Sequence, residues 1–307
     1  MEHRTLGRSG LKVSVGGLGC NNFGMRIDQE RATEVVDAAI EAGITFFDTA
    51  RIYGGGKSEG MLGVALGKRR GDVIVATKFG LGRGPDDLGG SRRHIVGSVE
   101  TSLRELDTDW IDLLQLHFPD TITPIEETLD ALTDLVHEGK VRYLGCSNFT
   151  GWMVAVADWT ARTRHLERFV SAQNEWSLLK RDVETEVVGA AARFGLGVIP
   201  YFPLASGLLT GKVRRGEPPP EGSRLNADHF AHVLHDDNFD RLERLEKWAI
   251  EHDRTLTEVA LSWLASHDVV SSVIAGATSA EQVTANAAAT KTDLTAEEVA
   301  EIAALVS

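Results

Sequence analysis

The chain has 307 residues, of which 42% are hydrophobic and 25% are charged, and its formal net charge is −13. These proportions are typical of a globular protein with an ample core, and the acidic balance argues against nucleic acid or an anionic membrane as a partner. Only two cysteines occur, Cys20 and Cys146, which favours a reducing compartment over a disulfide framework. The charged start of the chain lacks the apolar core of a signal peptide, and no apolar run approaches a membrane span, so we expect a cytoplasmic protein.

Short apolar runs alternate with amphipathic stretches from residue 13 to about residue 290. This alternation predicts βα units around a parallel sheet, here an α/β fold of the (β/α)8 TIM-barrel type in a single domain over residues 1–307. Strands are predicted at residues 13–19, 44–48, 73–78, 111–117, 141–147, 169–174, 197–201 and 270–275. Helices are predicted near residues 29–42, 58–69, 92–106, 125–138, 151–165, 183–194, 236–252, 256–266 and 279–289.

Two segments lie outside this repeat. Ahead of the barrel, the sequence predicts a short β-hairpin that turns at Ser9-Gly10 and plugs one end. Residues 203–235 form the longest irregular segment, and a loop of that length at the carboxyl face favours a functional role. Capping-box spacings predict two helix starts, at Ser279 with Gln282 and at Thr295 with Glu298.

Four ionisable residues stand at or just after the ends of predicted strands: Asp48, Tyr53, Lys78 and His117. The carboxyl ends of parallel barrel strands meet on one face, where a barrel's active site lies. Each residue alone has a simpler interpretation: a helix cap, a packed aromatic, a surface lysine and a core histidine. Their placement on successive strand ends favours a shared site.

The chemistry of these four residues suits proton donation. A phenol titrates near pH 10, so Tyr53 needs a neighbour that favours its anion. The ammonium of Lys78 at roughly 4 Å would contribute about 4 kcal/mol at an effective dielectric near 20, which equals about three pKa units. Asp48 would hold the lysine charged, and His117 would hydrogen-bond a substrate oxygen or share the proton. Such a set suits a carbonyl oxygen whose carbon receives a hydride.

Three other patterns do not indicate a site. The run Gly54-Gly55-Gly56-Lys57-Ser58 looks like half of a phosphate loop, but Arg51 stands where the motif needs glycine. The glycine fingerprint of a Rossmann fold does not follow the first predicted strand. The histidines His229, His232 and His235 lack a coherent set of further ligands, so we expect no metal site.

The chain resembles the aldo-keto reductases in a series of motifs that occur in the family's order over nearly its whole length. The motifs are Phe47-Asp48-Thr49-Ala50 with Tyr53-Gly54, Gly56-Lys57-Ser58-Glu59, Ala76-Thr77-Lys78, Gln115-Leu116-His117, Gly145-Cys146-Ser147-Asn148-Phe149, Gln173-Asn174-Glu175, Tyr201-Phe202-Pro203-Leu204, Thr210-Gly211-Lys212 and Gly276-Ala277-Thr278. The resemblance implies a (β/α)8 barrel that binds NADP(H) at its carboxyl face. It also implies a catalytic tetrad of Asp48, Tyr53, Lys78 and His117, with Tyr53 as proton donor.

The resemblance further implies the cofactor site, by position. Ser147, Asn148 and Gln173 would hydrogen-bond the nicotinamide carboxamide, and Tyr201 would stack on the ring. Arg224 matches an arginine near the adenine in the branch that contains potassium-channel β subunits. The phosphates and the rest of the adenosine would be bound by Leu204, Ser206, Leu208, Lys212, Gly276, Thr278, Gln282 and Asn286.

The chain departs from many relatives near the 2′-phosphate. Those relatives have a basic residue close to Thr278, where this chain is uncharged. Recognition of the 2′-phosphate is therefore expected from Lys212, Arg214, Arg215 or Arg224. For Arg214 and Arg215, a solvated basic loop is the alternative.

A second departure is Arg51, where relatives often have a neutral or acidic side chain. We expect it to face the substrate, and the alternative is that it pairs with an acid and sets the shape of its loop. The candidates that line the substrate pocket are Phe23, Met25, Arg51, Phe118 and Phe149. For the aromatic ones, simple packing is the alternative.

The leading function is NADPH-dependent reduction of aldehydes or ketones to alcohols. The alternatives are an NAD(P)-linked sugar or alcohol dehydrogenase and a nucleotide-sensing regulatory subunit that resembles the channel β subunits. The expected partner is a small-molecule carbonyl substrate, with no nucleic acid and no membrane. The sequence leaves the physiological substrate and the oligomeric state open.

Overall fold

The computed structural model describes residues 1–81, 89–290 and 293–307. An antiparallel hairpin of β1 (His3–Thr5) and β2 (Lys12–Ser14) comes first. Eight parallel strands follow: β3 (Gly16–Gly19), β4 (Phe46–Asp48), β5 (Ile74–Phe79), β6 (Ile111–Leu116), β7 (Val141–Ser147), β8 (Phe169–Glu175), β9 (Gly197–Tyr201) and β10 (Val273–Gly276).

Helices connect and surround these strands. They are α1 (Gln29–Glu41), α2 (Ser58–Leu66), α3 (Arg92–Glu105), α4 (Ile125–His137), α5 (Gly151–Arg164), α6 (Val187–Phe194), α7 (Asp236–Glu251), α8 (Leu256–Ala265), α9 (Ala280–Ala289) and α10 (Ala296–Leu305). Short 3₁₀ turns lie at Tyr53–Gly55, Gly67–Asp72, Asp182–Thr185, Ala205–Thr210, Arg224–Asn226 and Asp228–Val233. Both predicted caps are present: Ser279 accepts from the Gln282 amide, and Thr295 forms a full capping box with Glu298.

The eight strands form a nearly closed barrel. Each strand pairs with the next in the order β10, β3, β4, β5, β6, β7, β8 and β9. Between β9 and β10, the Val198 amide donates to Val269 O at 2.8 Å, and the Ser271 amide donates to Val198 O at 3.0 Å. The predicted (β/α)8 fold is therefore confirmed.

One predicted strand, residues 13–19, is two strands in the structure. The break falls at Val15, whose amide bonds to Glu2 O in the hairpin while its carbonyl accepts from Val273 in the barrel. Val13, Val15 and Leu18 are all buried, so the apolar pattern runs through the break and does not mark it. The last predicted strand, residues 270–275, begins only at Val273.

The hairpin plugs the amino end of the barrel, as predicted. Leu6, Leu11 and Val13 join one apolar cluster with side chains from inside the barrel, which are Phe46, Ala76, Leu113, Ile199 and Ile274. A Cβ atom on Gly7 would lie 2.5 Å from the amide of Gly197, where β9 begins. The open face is therefore the carboxyl end of the strands, where a barrel places its site.

The irregular segment predicted at residues 203–235 lies at this carboxyl face as three 3₁₀ turns joined by loops. In the part of the chain that the structure describes, no helix combines the length and the apolar character needed to cross a bilayer.

Candidate active site

The four predicted residues converge at the carboxyl end of the barrel. Lys78 Nζ donates to Asp48 Oδ2 at 2.5 Å, to Thr49 O at 3.0 Å and to Tyr53 Oη at 3.3 Å. The rings of Tyr53 and His117 meet edge to face, with their centroids 5.8 Å apart. Asp48 ends β4, Lys78 lies near the end of β5 and His117 follows β6, so neighbouring parallel strands bring them together.

Two amides hold the Asp48 carboxylate in place. Gln173 Nε2 donates to Asp48 Oδ1 at 2.8 Å, and Gln115 Nε2 donates to the same oxygen at 3.2 Å. Asp48 and Lys78 are each only 1% exposed, so this ion pair lies in a poorly solvated environment.

Burial and charge act against each other on the two protonatable groups nearest the cleft. Burial disfavours the ammonium of Lys78, but the charge of Asp48 and the hydrogen bonds to Asp48 and Tyr53 outweigh it and raise the pKa of Lys78. Burial raises the pKa of Tyr53 above its ordinary value, and the opposing charge of Lys78 does not reverse this. The net direction differs from the lowering expected from sequence, because desolvation of the phenolate is the larger effect. Tyr53 is therefore a protonated phenol at neutral pH.

His117 is held neutral. Burial, together with the charge of Lys78, lowers the pKa of His117 from 6.5 to about 3. A neutral imidazole can donate or accept one hydrogen bond without adding a second positive charge beside Lys78.

A cleft of about 1000 Å³ opens above these residues, a volume at the upper end of the range for ligand sites. Asp48, Tyr53 and His117 line it, together with every predicted cofactor residue except Leu208. Leu208 is completely buried. Tyr201 Oη donates to Asn148 Oδ1 at 2.8 Å, and Asn148 Nδ2 donates to His117 O at 2.9 Å.

The structure brings only Phe118 of the five predicted substrate residues to the cleft. Phe118 is 45% exposed and stacks on His117. Phe23 and Phe149 are buried in two separate apolar clusters of the core and are not among the described residues that line the cleft. Met25 is exposed but is not among the described residues that line the cleft. Arg51 donates instead to Ser98 Oγ on α3 at 2.7 Å, so the prediction that it faces substrate is not supported.

Sequence reasoning missed the loop that follows β3. Asn21, Asn22 and Arg26 line the cleft, and Arg224 donates to both asparagine side chains. Arg26, from the same loop, donates to Gly222 O of the long loop. The rule that pointed to Asp48, polar residues just after a barrel strand, also applies to this loop and would have found the two asparagines.

The basic residues of the long loop separate into two groups. Arg214 pairs with Glu246 on α7 at 2.7 Å. Arg215 pairs with three acids of the same helix, which are Asp236, Asp240 and Glu243. Both arginines therefore follow the surface alternative, whereas Lys212 and Arg224 line the cleft together with Arg26.

The walls of the cleft fit an extended, anionic dinucleotide. Among the described residues, three cations line it alongside Glu221 and Glu258. Ser279 caps the amino end of α9 beside the lining residues Thr278 and Gln282, where helix amides favour an anion. Ser206 and Gly207 both have positive φ, of 59° and 109°, and a Cβ atom on Gly207 would meet nothing within 4 Å. Strained backbone next to open space is typical of a ligand-binding loop. Among the described residues, no group of three or more histidine, cysteine or acidic side chains is arranged to hold a metal ion.

The fold and the site define a (β/α)8 barrel whose carboxyl face presents a phenol, a buried ammonium and a neutral imidazole beside a nucleotide-sized cleft. A family model described as the aldo/keto reductase family matches residues 13–307. The chain belongs to this family. That it does so supports oxidoreductase activity on carbonyl groups.

Relatives in plants and bacteria cover nearly the whole chain. A probable voltage-gated potassium channel subunit beta from Oryza sativa subsp. japonica is 38% identical over 296 residues, covering 93% of this chain and 90% of that protein. The uncharacterized oxidoreductase YrpG of Bacillus subtilis (strain 168) is 37% identical over 300 residues, covering 92% and 89%. The probable aldo-keto reductase 1 of Glycine max is 35% identical over 307 residues, covering 97% and 86%.

Proposed function

We propose that this protein reduces aldehydes or ketones to alcohols with NADPH, and that Tyr53 donates the proton. The observation that carries the proposal is the hydroxyl of Tyr53, a residue that lines the cleft, 3.3 Å from the buried Nζ of Lys78. When bound, the cofactor supplies the hydride that the carbonyl carbon receives. Every other part of the reaction falls to side chains of the chain itself.

Each tetrad residue has one task. Tyr53 protonates the carbonyl oxygen, and Lys78 stabilises the phenolate that remains. Asp48 keeps Lys78 charged, and the neutral His117 hydrogen-bonds the carbonyl oxygen and so orients it. Phe118 at the rim offers an apolar surface to the rest of the substrate.

The remaining cleft residues would hold the cofactor. Ser147, Asn148 and Gln173, which line the cleft, would bind the carboxamide, and Tyr201, which also lines it, would stack on the nicotinamide. Lys212 and Arg224 supply positive charge for the phosphates. We also propose a cytoplasmic location, which the two unpaired, buried cysteines support.

Turnover of NADPH with a panel of aldehydes, ketones and sugars tests the proposal, with Tyr53→Phe as the matched variant. Removing only the hydroxyl takes away the acid and leaves the cleft intact. Reduction should therefore fall at least about a hundredfold, the usual scale for general acid catalysis, while NADPH affinity barely moves. Near-normal hydride transfer in Tyr53→Phe would contradict the assignment.

The same assay distinguishes the proposed function from two alternative functions. The relative named as a channel β subunit favours a nucleotide-sensing regulatory role, in which cofactor binds tightly but turns over little. Many turnovers per protein molecule would exclude that role. A sugar or alcohol dehydrogenase would instead show faster oxidation of an alcohol with NADP⁺ or NAD⁺ than reduction of the matching carbonyl.

A further inference from the structure

Behind the tetrad lies a second polar cluster that the reaction itself does not use. It contains Arg51, Glu59, Thr77 and Ser98, and it fills the space between β5, α2 and α3. Thr77 Oγ1 donates to Glu59 Oε1 at 2.6 Å, and Arg51 Nη1 donates to Ser98 Oγ at 2.7 Å. Glu59 is 3% exposed, so its carboxylate needs these partners.

The charges of the cluster are coupled. Burial raises the pKa of Glu59, while hydrogen bonds from Thr77 and Ser102 and the positive charge of Arg51 lower it. Arg51 therefore lies near enough to Glu59 for their charges to interact. Glu59 ties α2, which follows the loop of Tyr53, to β5 through Thr77, and Arg51 ties the chain before Tyr53 to Ser98 on α3.

Both ends of the cluster connect directly to catalytic residues. Thr77 precedes Lys78 in β5, and alternation along a strand points Thr77 towards the helices and Lys78 towards the cleft. Arg51 lies two residues before Tyr53, in the loop whose Thr49 carbonyl accepts from Lys78 Nζ. The cluster thus ties the strand of Lys78 to the loop of Tyr53.

The loop needs such a tie. Tyr53 is followed by Gly54, Gly55 and Gly56, which all have positive φ, between 59° and 83°. Glycines in series give the backbone wide freedom, so the chain after Tyr53 holds the phenol less firmly than ordinary residues would. Close packing of Gly54 against Phe23 O restrains the far side of the loop, and Arg51 anchors the near side.

We propose that Arg51 and Glu59 are positioning residues, which hold the Tyr53 loop against β5 and so fix the distance between Tyr53 Oη and Lys78 Nζ. The inference rests on the proposed function, because that distance matters only if Tyr53 is the acid. A displacement of about 1 Å from the reactive geometry can cost up to about a hundredfold in rate. The pair therefore controls the chemical step without touching substrate.

The test uses Arg51→Met, Glu59→Gln and the double variant in single-turnover stopped flow, with the enzyme–NADPH complex mixed with saturating aldehyde. The rate constant reports positioning, whereas the amplitude reports the fraction of folded, active protein. Each single variant should lower the rate constant about tenfold or more while keeping most of the amplitude. The double variant should be no slower than the slower single one, because the two residues act as a unit.

Controls separate the possible failures. Asp37→Asn removes the exposed ion pair with Arg69, whose atoms are 2.7 Å apart, and should leave the rate constant unchanged. If Arg51→Met does not fold, Thr77→Val removes the link to Glu59 while keeping the shape of the side chain, and it should slow the step likewise. A lower amplitude with an unchanged rate constant would overturn the inference. If Tyr53→Phe is inactive but the Arg51 and Glu59 variants match wild type, only this inference fails; an active Tyr53→Phe would refute the proposed function itself.

Discussion

Replacing Lys78 by methionine tests how far one buried charge controls the acid. Two unit charges 3.3 Å apart, the distance from Lys78 Nζ to Tyr53 Oη, interact by about 5 kcal/mol at an effective dielectric near 20. That energy equals between about three and four pKa units of phenolate stabilisation. Asp48 opposes this stabilisation from the other side of the ammonium, so Lys78→Met should raise the pKa of Tyr53 further, by less than the interaction with Lys78 alone would give. The rate of reduction should fall about a hundredfold or more.

The substitution Lys78→Met also leaves the buried carboxylate of Asp48 without its cationic partner. Removing one partner of a buried ion pair typically costs about 3–5 kcal/mol of stability, because the other charge is left uncompensated. The double variant Asp48→Asn, Lys78→Met removes both charges and keeps a polar side chain for Gln173 and Gln115. It should recover most of the lost stability and none of the lost rate.

The measurement is the single-turnover rate constant of NADPH oxidation at pH 7, with cofactor affinity determined by fluorescence quenching. Both variants should bind NADPH nearly as wild type does, because Lys78 is not among the described residues that line the cleft. A double variant that transfers hydride at a near-normal rate would refute the reasoning, since the phenol would then need no ammonium.

Two further predictions concern the cofactor and pH. NADPH should bind more tightly than NADH, and Lys212→Met should reduce that preference about tenfold, near 1.4 kcal/mol. Arg214→Met should leave the preference unchanged. If both variants have equal effects in a fluorescence titration, Lys212 does not recognise the 2′-phosphate. The pKa of His117 falls from 6.5 to about 3 on folding, so the unfolded chain takes up the proton first and stability is lost as pH drops from 6.5 towards 3. Between pH 7.5 and pH 5 the free energy of unfolding of the wild-type protein should therefore fall by about 2 kcal/mol. Urea unfolding of His117→Gln should not show this fall. The same pH dependence in wild type and variant would show that another group is responsible.

The fold and the convergence of Asp48, Tyr53, Lys78 and His117 could be predicted because both depend on local pattern and one general rule. Asp48 and Lys78 end or nearly end buried strands, and parallel strands in a barrel place their carboxyl ends on one face whatever the loops do. The break at Val15 could not be predicted, because hairpin and barrel bury consecutive residues and the apolar pattern does not change between them.

The substrate residues were predicted less well, since position beside a motif does not fix the direction of a side chain. Phe149 follows Asn148, yet it packs against Phe169 with ring centroids 5.9 Å apart in the core. Arg51 lies between Asp48 and Tyr53, yet its guanidinium donates to Ser98, which lies 47 residues further along the chain on α3. Such directions depend on neighbours that are distant in sequence.

For the basic residues of the long loop too, position in the sequence does not fix which way a side chain points, and here the direction bears on cofactor binding. Lys212, Arg214 and Arg215 are almost adjacent in sequence, and their composition alone does not distinguish a phosphate site from a solvated surface. The acidic face of α7 distinguishes the two kinds of site, because its carboxylates pair with Arg214 and Arg215, whereas Lys212 lines the cleft. The cleft then keeps Arg26, Lys212 and Arg224 in a protein whose net charge is −13. Glu221 and Glu258 also line the cleft, so its charges nearly balance among the described residues, whereas the chain as a whole is strongly acidic. An anion is therefore repelled less at the cleft than at the rest of the surface.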